Sequence, residues 1–295
     1  MKPLNILWQF SRPHTIIGSL CSITALYIIA CQGKDLSKHL PLFLLTLVAA
    51  LACNIFIVGI NQIADVEMDK INKPYLPLAA GTLSRKSALA IVYTALAVCL
   101  IASFFASLFY FCLILIILLI GLAYSLPPLY LKQHHLPAAL AITLVRGLLV
   151  NLGIFLHFQK GINNVFYLPG YVWCLTFFIM AFSITIAWFK DLPDTEGDKQ
   201  YHIKTFALLY SKRNALIGGG VITGFAYLYV IYWAITSSIP NKTFLLVAHT
   251  VLLLLFCFNF LKVRLGQQHS VKKFYLRFWI FFFAEYIVFS VWMLL

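Results

Sequence analysis

Acid is what this chain has least of: nine Asp and Glu stand against 22 Lys and Arg, and all charged residues together make up 11% of it. With 62% hydrophobic residues and a mean hydropathy of +0.91, that poverty of charge excludes an ordinary soluble globular protein and predicts one that sits in a bilayer. No Cys-x-x-Cys pair occurs, and the seven cysteines all fall in apolar runs, so neither a disulfide framework nor a zinc site is indicated. The eight histidines show no metal-ligand spacing, and adjacent His134 and His135 read as a wet loop. Gly218-Gly219-Gly220 lacks the strand, the spacing and the following Lys-Ser/Thr of a phosphate loop, and reads as a helix-packing contact. The net charge of +13 reads as membrane anchoring. Nothing in its pattern suggests nucleic acid or an obligate protein partner.

What is present in abundance is apolar length. Runs long enough to cross a bilayer, about 20 residues each, lie at 14–32, 41–60, 87–106, 108–124, 137–158, 168–189, 214–236, 243–261 and 274–295, with the third and fourth divided near Ser107. They are too long and too uniformly apolar for barrel strands. The expected fold is therefore all-α, a multi-pass transmembrane bundle of nine helices in a single domain over 1–295. Of the 22 Lys and Arg, Arg146 lies inside a run, Lys34, Lys38, Lys160 and Lys242 fall on one side, and the remaining seventeen fall on the other. That asymmetry places the amino terminus, both acidic stretches and an active-site opening on the cytoplasmic side. The first run starts just after Arg12, with no transit-type stretch before it. A bacterial inner membrane is expected, or a thylakoid or plastid membrane for a mature or organelle-encoded product.

The few acids are confined. Asp65, Glu67 and Asp69 close the stretch 61–69, Asp191, Asp194, Glu196 and Asp198 fill 191–198, and only Asp35 and Glu285 lie elsewhere. Charged surfaces normally scatter both signs, so two solvated helix ends explain this poorly and a shared multivalent cation explains it well. Asn61, Asp65 and Asp69 recur every four residues and share one face of a continued helix. Asp194 and Asp198 repeat the step 129 residues later (65 to 194, 69 to 198), with Asp191 a turn earlier and Pro193 obliging the helix to bend or restart. Two facing lobes are expected, although no other repeat accompanies the pair. Facing carboxylates resist ionising together unless a cation lies between them. Magnesium fits, because it takes carboxylates, water and phosphate oxygens, which makes a diphosphate the natural missing ligand. Asp65, Asp69, Asp194 and Asp198 are the candidate metal ligands, with Asn61 and Asp191 as substrate-binding neighbours.

Other candidates surround them. Arg12, in Ser11-Arg12-Pro13, is a cation at the rim of the first span, serving as orientation signal or substrate contact. Lys73 lies in the Pro- and Gly-stiffened loop 72–81 and can reach a phosphate. In 123–132, Tyr130 reads as interfacial belt, and Tyr124 and Lys132 as site residues. Arg146 and Glu285 put charge inside spans, where it is costly and by default functional; either they neutralise each other or Arg146 lines a cavity and meets an anion. Asn151 adds a substrate hydrogen bond from a neighbouring face.

An Asn-x-x-x-Asp-x-x-x-Asp after the second span, an Asp-x-x-x-Asp after the sixth and nine helices together resemble the UbiA superfamily of intramembrane aromatic prenyltransferases. Within it, Phe10-Ser-Arg-Pro-His-Thr-Ile-Ile-Gly18, Asn72-Lys-Pro-Tyr-Leu-Pro-Leu78, Val145-Arg-Gly-Leu-Leu-Val-Asn-Leu-Gly153 and Phe189-Lys-Asp-Leu-Pro-Asp-Thr-Glu-Gly-Asp198 look most like the homogentisate phytyltransferases of tocopherol synthesis. The resemblance implies a Mg2+-dependent transfer of a phytyl or geranylgeranyl group from an isoprenoid diphosphate to an aromatic acid, homogentisate losing its carboxylate as CO2, in contact with membrane lipid. It also implies metal and diphosphate roles for Asn61, Asp65, Asp69, Asp194 and Asp198. A menaquinone-type or 4-hydroxybenzoate prenyltransferase is the alternative within the superfamily. A cation-coupled transporter is the alternative outside it, but carriers place their acids near the bilayer midplane.

Overall fold

The computed structural model describes residues 3–295, and among these nine helices are long and apolar enough to cross a membrane. Two short helices precede or interrupt the spans: α1 (Pro3–Phe10) leads into α2 (Pro13–Ala30), and α3 (Leu40–Ala64) is followed by α4 (Val66–Asn72). Then come α5 (Arg85–Ala106), α6 (Leu108–Ser125), α7 (His135–Asn163) and α8 (Gly170–Asp191). After α8 the chain forms the short α9 (Thr195–Gln200) and α10 (Phe206–Leu209), then the spans α11 (Lys212–Thr236), α12 (Lys242–Leu261) and α13 (Gln268–Leu294). Each span overlies one expected apolar run, and the chain is an integral multi-pass membrane protein. α13 begins six residues before its run, because helical hydrogen bonding continues through Lys272 and Lys273, which an apolar pattern does not register.

The joints follow from local chemistry. Ser107 takes an extended backbone and its Oγ accepts from Tyr110 N–H, ending α5 and capping α6 where the sequence placed the boundary. Pro193 follows the end of α8, as its missing N–H requires. Inside α7, Thr143–Ile154 widens into π-helical turns. Such turns release backbone carbonyls from the ordinary ladder and recur at functional sites.

Lipid gives helices no hydrophobic reason to associate, so close packing holds the bundle. Phe182 stacks on Phe278 with centroids 4.5 Å apart, and a Cβ on Gly219 or Gly220 would stand 2.4 Å from the ring of Phe189 or Phe260. The triple glycine is therefore the packing contact expected. Pairing across loops defines two ends. At one, Lys132 meets Asp65, Lys73 meets Asp194 and Gln268 reaches Pro193; at the other, Asn163 reaches Ala30 and Trp292 reaches Pro240. Both acidic stretches share the first end.

Glu285 does not meet Arg146. It is fully buried beside His249, whose Nε2 lies 3.1 Å from its Oε1 while Nδ1 donates to Leu245 O at 2.7 Å. The neutralising pair weighed for Arg146 is corrected accordingly: a buried acid takes the nearest hydrogen-bonding partner, and that is a histidine four residues along from Leu245.

Candidate active site

Asp65 leaves helical geometry (φ −104°, ψ 11°), yet the hydrogen bonds Asp65 N to Asn61 O, Asp69 N to Asp65 O and Lys73 N to Asp69 O, at 3.0, 2.8 and 2.7 Å, keep the four-residue register from α3 through α4. Asn61, Asp65, Asp69 and Lys73 thus share a face. Asp194 repeats the device before α9, with φ −98°, ψ 5° and Asp198 N bonded to Asp194 O at 3.1 Å. In both motifs the first aspartate starts a short helix and the second lies in its first turn, where the helix dipole favours an anion. The four aspartates are buried, whereas Glu67 and Glu196 of the same stretches are exposed.

Asn72 joins the two motifs. Its Nδ2 donates to Asp198 Oδ1 at 3.2 Å and its Oδ1 accepts from Gly197 N–H at 2.9 Å. A Cβ on Gly197 would stand 2.6 Å from that Oδ1, so only glycine lets α4 and α9 approach this closely.

Cations surround the acids. Lys132 is paired with Asp65 and Lys73 with Asp194, while Lys73 also lies 3.6 Å from Asp69 and Arg12 Nη2 lies 3.8 Å from Asp69 Oδ2. Lys190 lies 3.4 Å from Asp191 and donates to Tyr124 OH at 2.7 Å. Asn61 Nδ2 reaches Ser125 Oγ at 3.4 Å. Every expected site residue of these loops is therefore at one place. Tyr130 sits beneath Lys132, whose Nζ is 4.9 Å from its ring centroid. Asn72 and Lys190 were not foreseen as site residues: Asn72 opens the quoted Asn72-Lys73-Pro74 word and Lys190 precedes Asp191, but their partners are known only in three dimensions.

Among the described residues no three acidic, His or Cys side chains converge as a ready metal cluster, and lysines take up Asp65, Asp69 and Asp194 instead. The charge balance is nevertheless incomplete. Asp69 Oδ2 is buried without a hydrogen bond. Burial, with Asp191 and Asp194 nearby, pushes the Asp198 carboxyl up to about 8. Burial also raises Asp69, against Lys73 and Arg12, and lowers Lys132, against Asp65. An all-oxygen donor set that is short of positive charge fits a hard divalent cation.

Towards the bundle interior lies a cavity of about 120 Å³, lined by Thr15, Ser19, Asn54 and Arg146 on its polar side and by Ile117 and Tyr286 among apolar residues. Thr15 Oγ1 bonds both Arg12 O and Asn54 Oδ1 at 2.9 Å, so the cavity starts one helical turn from the cation that meets Asp69. The Arg146 guanidinium lies 4.5 Å from the Trp279 ring centroid and 5.4 Å from that of Phe282, and its Nη1 is buried with no partner. Asn151, expected at the substrate, instead has its amide taken up by the widened turn: Nδ2 donates to Arg146 O and Gly147 O at 3.0 and 2.8 Å, and Oδ1 accepts from Tyr286 OH at 2.9 Å. The carbonyls that a π-turn frees need donors, and Asn151 supplies them.

Residues 20–284 match the UbiA prenyltransferase family. The chain belongs to this family. Among its relatives, the homogentisate phytyltransferase of a Synechocystis species is 40% identical, over 99% of this chain and 96% of that protein. The chloroplastic homogentisate solanesyltransferase of Arabidopsis thaliana is 37% identical, over 97% of this chain and 76% of its own length. A UbiA homologue of Archaeoglobus fulgidus, solved with GPP and Mg2+, superposes with a TM-score of 0.67 at 16% identity over 97% of this chain and 99% of that one. This UbiA-family chain is thus a prenyltransferase with the bundle fold of its structural neighbours.

Proposed function

We propose that this enzyme transfers a phytyl or geranylgeranyl group from the isoprenoid diphosphate to homogentisate, with loss of the acid's carboxylate as CO2, in tocopherol or prenylquinone synthesis. One observation carries the reading: two Asp-x-x-x-Asp helix starts are locked together by Asn72 and ringed by cations, and one helical turn inward from Arg12 begins a cavity that holds an unpaired guanidinium. The relatives named for homogentisate support the choice of acceptor.

Asp65, Asp69, Asp194 and Asp198 would hold Mg2+, with Asn61 and Asp191 beside the diphosphate. When bound, the ion draws charge from the diphosphate as it departs. Arg12, Lys73, Lys132 and Lys190 hold the diphosphate oxygens and stabilise the charge that collects on them. The allylic carbon–oxygen bond breaks with its electron pair leaving on the diphosphate, and a ring carbon of the acceptor takes up the allylic cation. The ring gives up its proton, the side-chain carbon that loses CO2 gains one, and pyrophosphate leaves. Tyr124 keeps Lys190 in place by accepting its hydrogen bond.

Arg146 orients the acceptor by its carboxylate, which a guanidinium grips bidentately. The lining of the cavity supports this assignment, because Thr15, Ser19 and Asn54 stand with Arg146 and offer hydrogen-bonding partners to a hydroxylated acid. Asn151 acts as a positioning residue that fixes the backbone carrying Arg146. The carrier alternative has less support, because Asp65, Asp69, Asp194 and Asp198 lie at the starts of α4 and α9, outside the spans, and Asp191 is the last residue of α8. The charge asymmetry supports a cytoplasmic location for this end.

The test is to feed labelled phytyl or geranylgeranyl diphosphate to membranes containing the protein, with homogentisate, 4-hydroxybenzoate or a dihydroxynaphthoate. A lipid product with homogentisate is expected. Transfer only to another acid would retire the acceptor assignment, and transfer to none would retire the activity.

A further inference from the structure

A second pocket lies at the same end of the bundle, between the end of α12 and the start of α13, with a volume of about 530 Å³. Its wall carries Lys262, Arg264, Lys273 and Arg277 and no acid, and none of the four is in an ion pair among the described residues. An orientation signal needs cations only somewhere on the rim. Here they converge on a cavity that also offers a buried donor: Asn259, 8% exposed, accepts from Arg277 Nη1 at 3.5 Å through Oδ1 and leaves its buried Nδ2 without a partner. A buried donor left unmet is costly, and an acceptor entering the pocket would meet it.

The surroundings specify what kind of anion. Phe258, Leu254 and Leu261 on α12, beside the pocket, are exposed at 59%, 65% and 81%. Lys262 Nζ lies 3.7 Å from the Phe258 ring centroid, at the seam between the cationic wall and that apolar face. A ligand that fills the pocket with oxygen acceptors and lays hydrocarbon along α12 satisfies both. We infer that this pocket binds the phosphate of an anionic lipid headgroup, with the acyl chains running along α12. Basic pockets at the membrane surface recognise such headgroups. Gln268 Nε2 reaches Pro193 O at 3.4 Å, so the start of α13, which frames the pocket, is also tied to the segment between Asp191 and Asp194.

The test uses the purified full chain in mild detergent, with native mass spectrometry reading retention of phosphatidylglycerol against phosphatidylcholine. The triple variant Lys262→Gln, Arg264→Gln, Lys273→Gln should lose about a hundredfold in phosphatidylglycerol affinity, at about fivefold, or ~1 kcal/mol, per cation. Asn259→Asp, which removes no cation but puts a carboxylate against the headgroup, should weaken it in the same direction. A control with equal charge removed elsewhere on this end, Arg85→Gln with Lys86→Gln and Arg213→Gln, should stay within about twofold of the parent protein, because these cations do not line the pocket and act on its headgroup only through screening solvent. Equal loss in the control would show general surface attraction and overturn the site, as would unchanged affinity in both pocket variants. Inorganic phosphate or pyrophosphate binding as tightly as phosphatidylglycerol would overturn the lipid assignment, because the acyl chains would then contribute nothing.

Discussion

Replacing Asn72 with Ala tests whether the two aspartate motifs work as one unit. The change deletes the 3.2 Å bond to Asp198 Oδ1 and leaves Gly197 N–H without its 2.9 Å acceptor. In the ionised, metal-bound form the first bond is worth about 1.5–3 kcal/mol, and the stranded amide costs about 1–3 kcal/mol, the two overlapping because they share one side chain. Groups that orient metal ligands typically change metal affinity by about 10–100-fold when removed. Asn72→Ala should therefore raise the Mg2+ concentration needed for half-maximal transfer by that factor, with partial recovery at saturating Mg2+. Asn72→Asp keeps an acceptor for Gly197 N–H but sets a second carboxylate against Asp198, and should be impaired as much at low Mg2+. The assay is initial prenyl transfer in membranes across a Mg2+ series, with membrane insertion checked by immunoblot. An unchanged Mg2+ dependence in both variants would refute the idea that Asn72 couples the motifs.

Arg146→Lys should raise the KM for the aromatic acid by about ten- to a hundredfold, the loss of a charge-assisted bond of ~1.5–3 kcal/mol, while the KM for the diphosphate holds; the opposite pattern would move Arg146 to the diphosphate. Because Glu285 is held by His249, the double change Arg146→Met with Glu285→Leu should not restore activity, and recovery would return Arg146 to a structural role. The Asp198 carboxyl, raised to about 8 from an ordinary 3.8, binds its proton more tightly folded than unfolded, so stability without divalent metal should fall as pH rises between those values. Its proton must leave for Mg2+ to bind, so metal affinity should weaken about tenfold per pH unit below about 8, with roughly one proton released at pH 7 by calorimetry in two buffers; a pH-independent affinity would contradict this. For topology, a thiol placed at Asn163 or Ser238 should react with an impermeant reagent from outside, and one at Thr195 or Gln267 should not. The reverse pattern would invert the orientation.

The spans were readable because apolar length needs no partner to be recognised, and the Ser107 and Pro193 breaks because they are local backbone chemistry. The shared face of Asn61, Asp65 and Asp69 followed from spacing alone. What spacing could not supply was pairing across the chain: Asn72 finds Asp198 and Lys132 finds Asp65 only once separate loops meet at one end. Arg146 and Glu285 looked like partners because both carry charge inside spans. His249 escaped notice because a histidine does not enter a count of formal charges, yet its imidazole is the group that reaches the acid. Asn151, five residues from Arg146, reads as a substrate contact from a neighbouring face, whereas its amide meets carbonyls of the widened turn of α7, which no spacing announces.

The most direct test of the proposed reaction is a double-label experiment with purified protein in lipid. Homogentisate labelled at the carboxyl carbon is incubated with phytyl or geranylgeranyl diphosphate labelled in the prenyl chain, with Mg2+ present or chelated, using the parent protein and Asp65→Asn. The prediction is one CO2 released for each prenyl label entering a lipid-soluble quinol, both lost on chelation and in Asp65→Asn. Release of neither label, or prenyl transfer that survives Asp65→Asn and chelation, would contradict it.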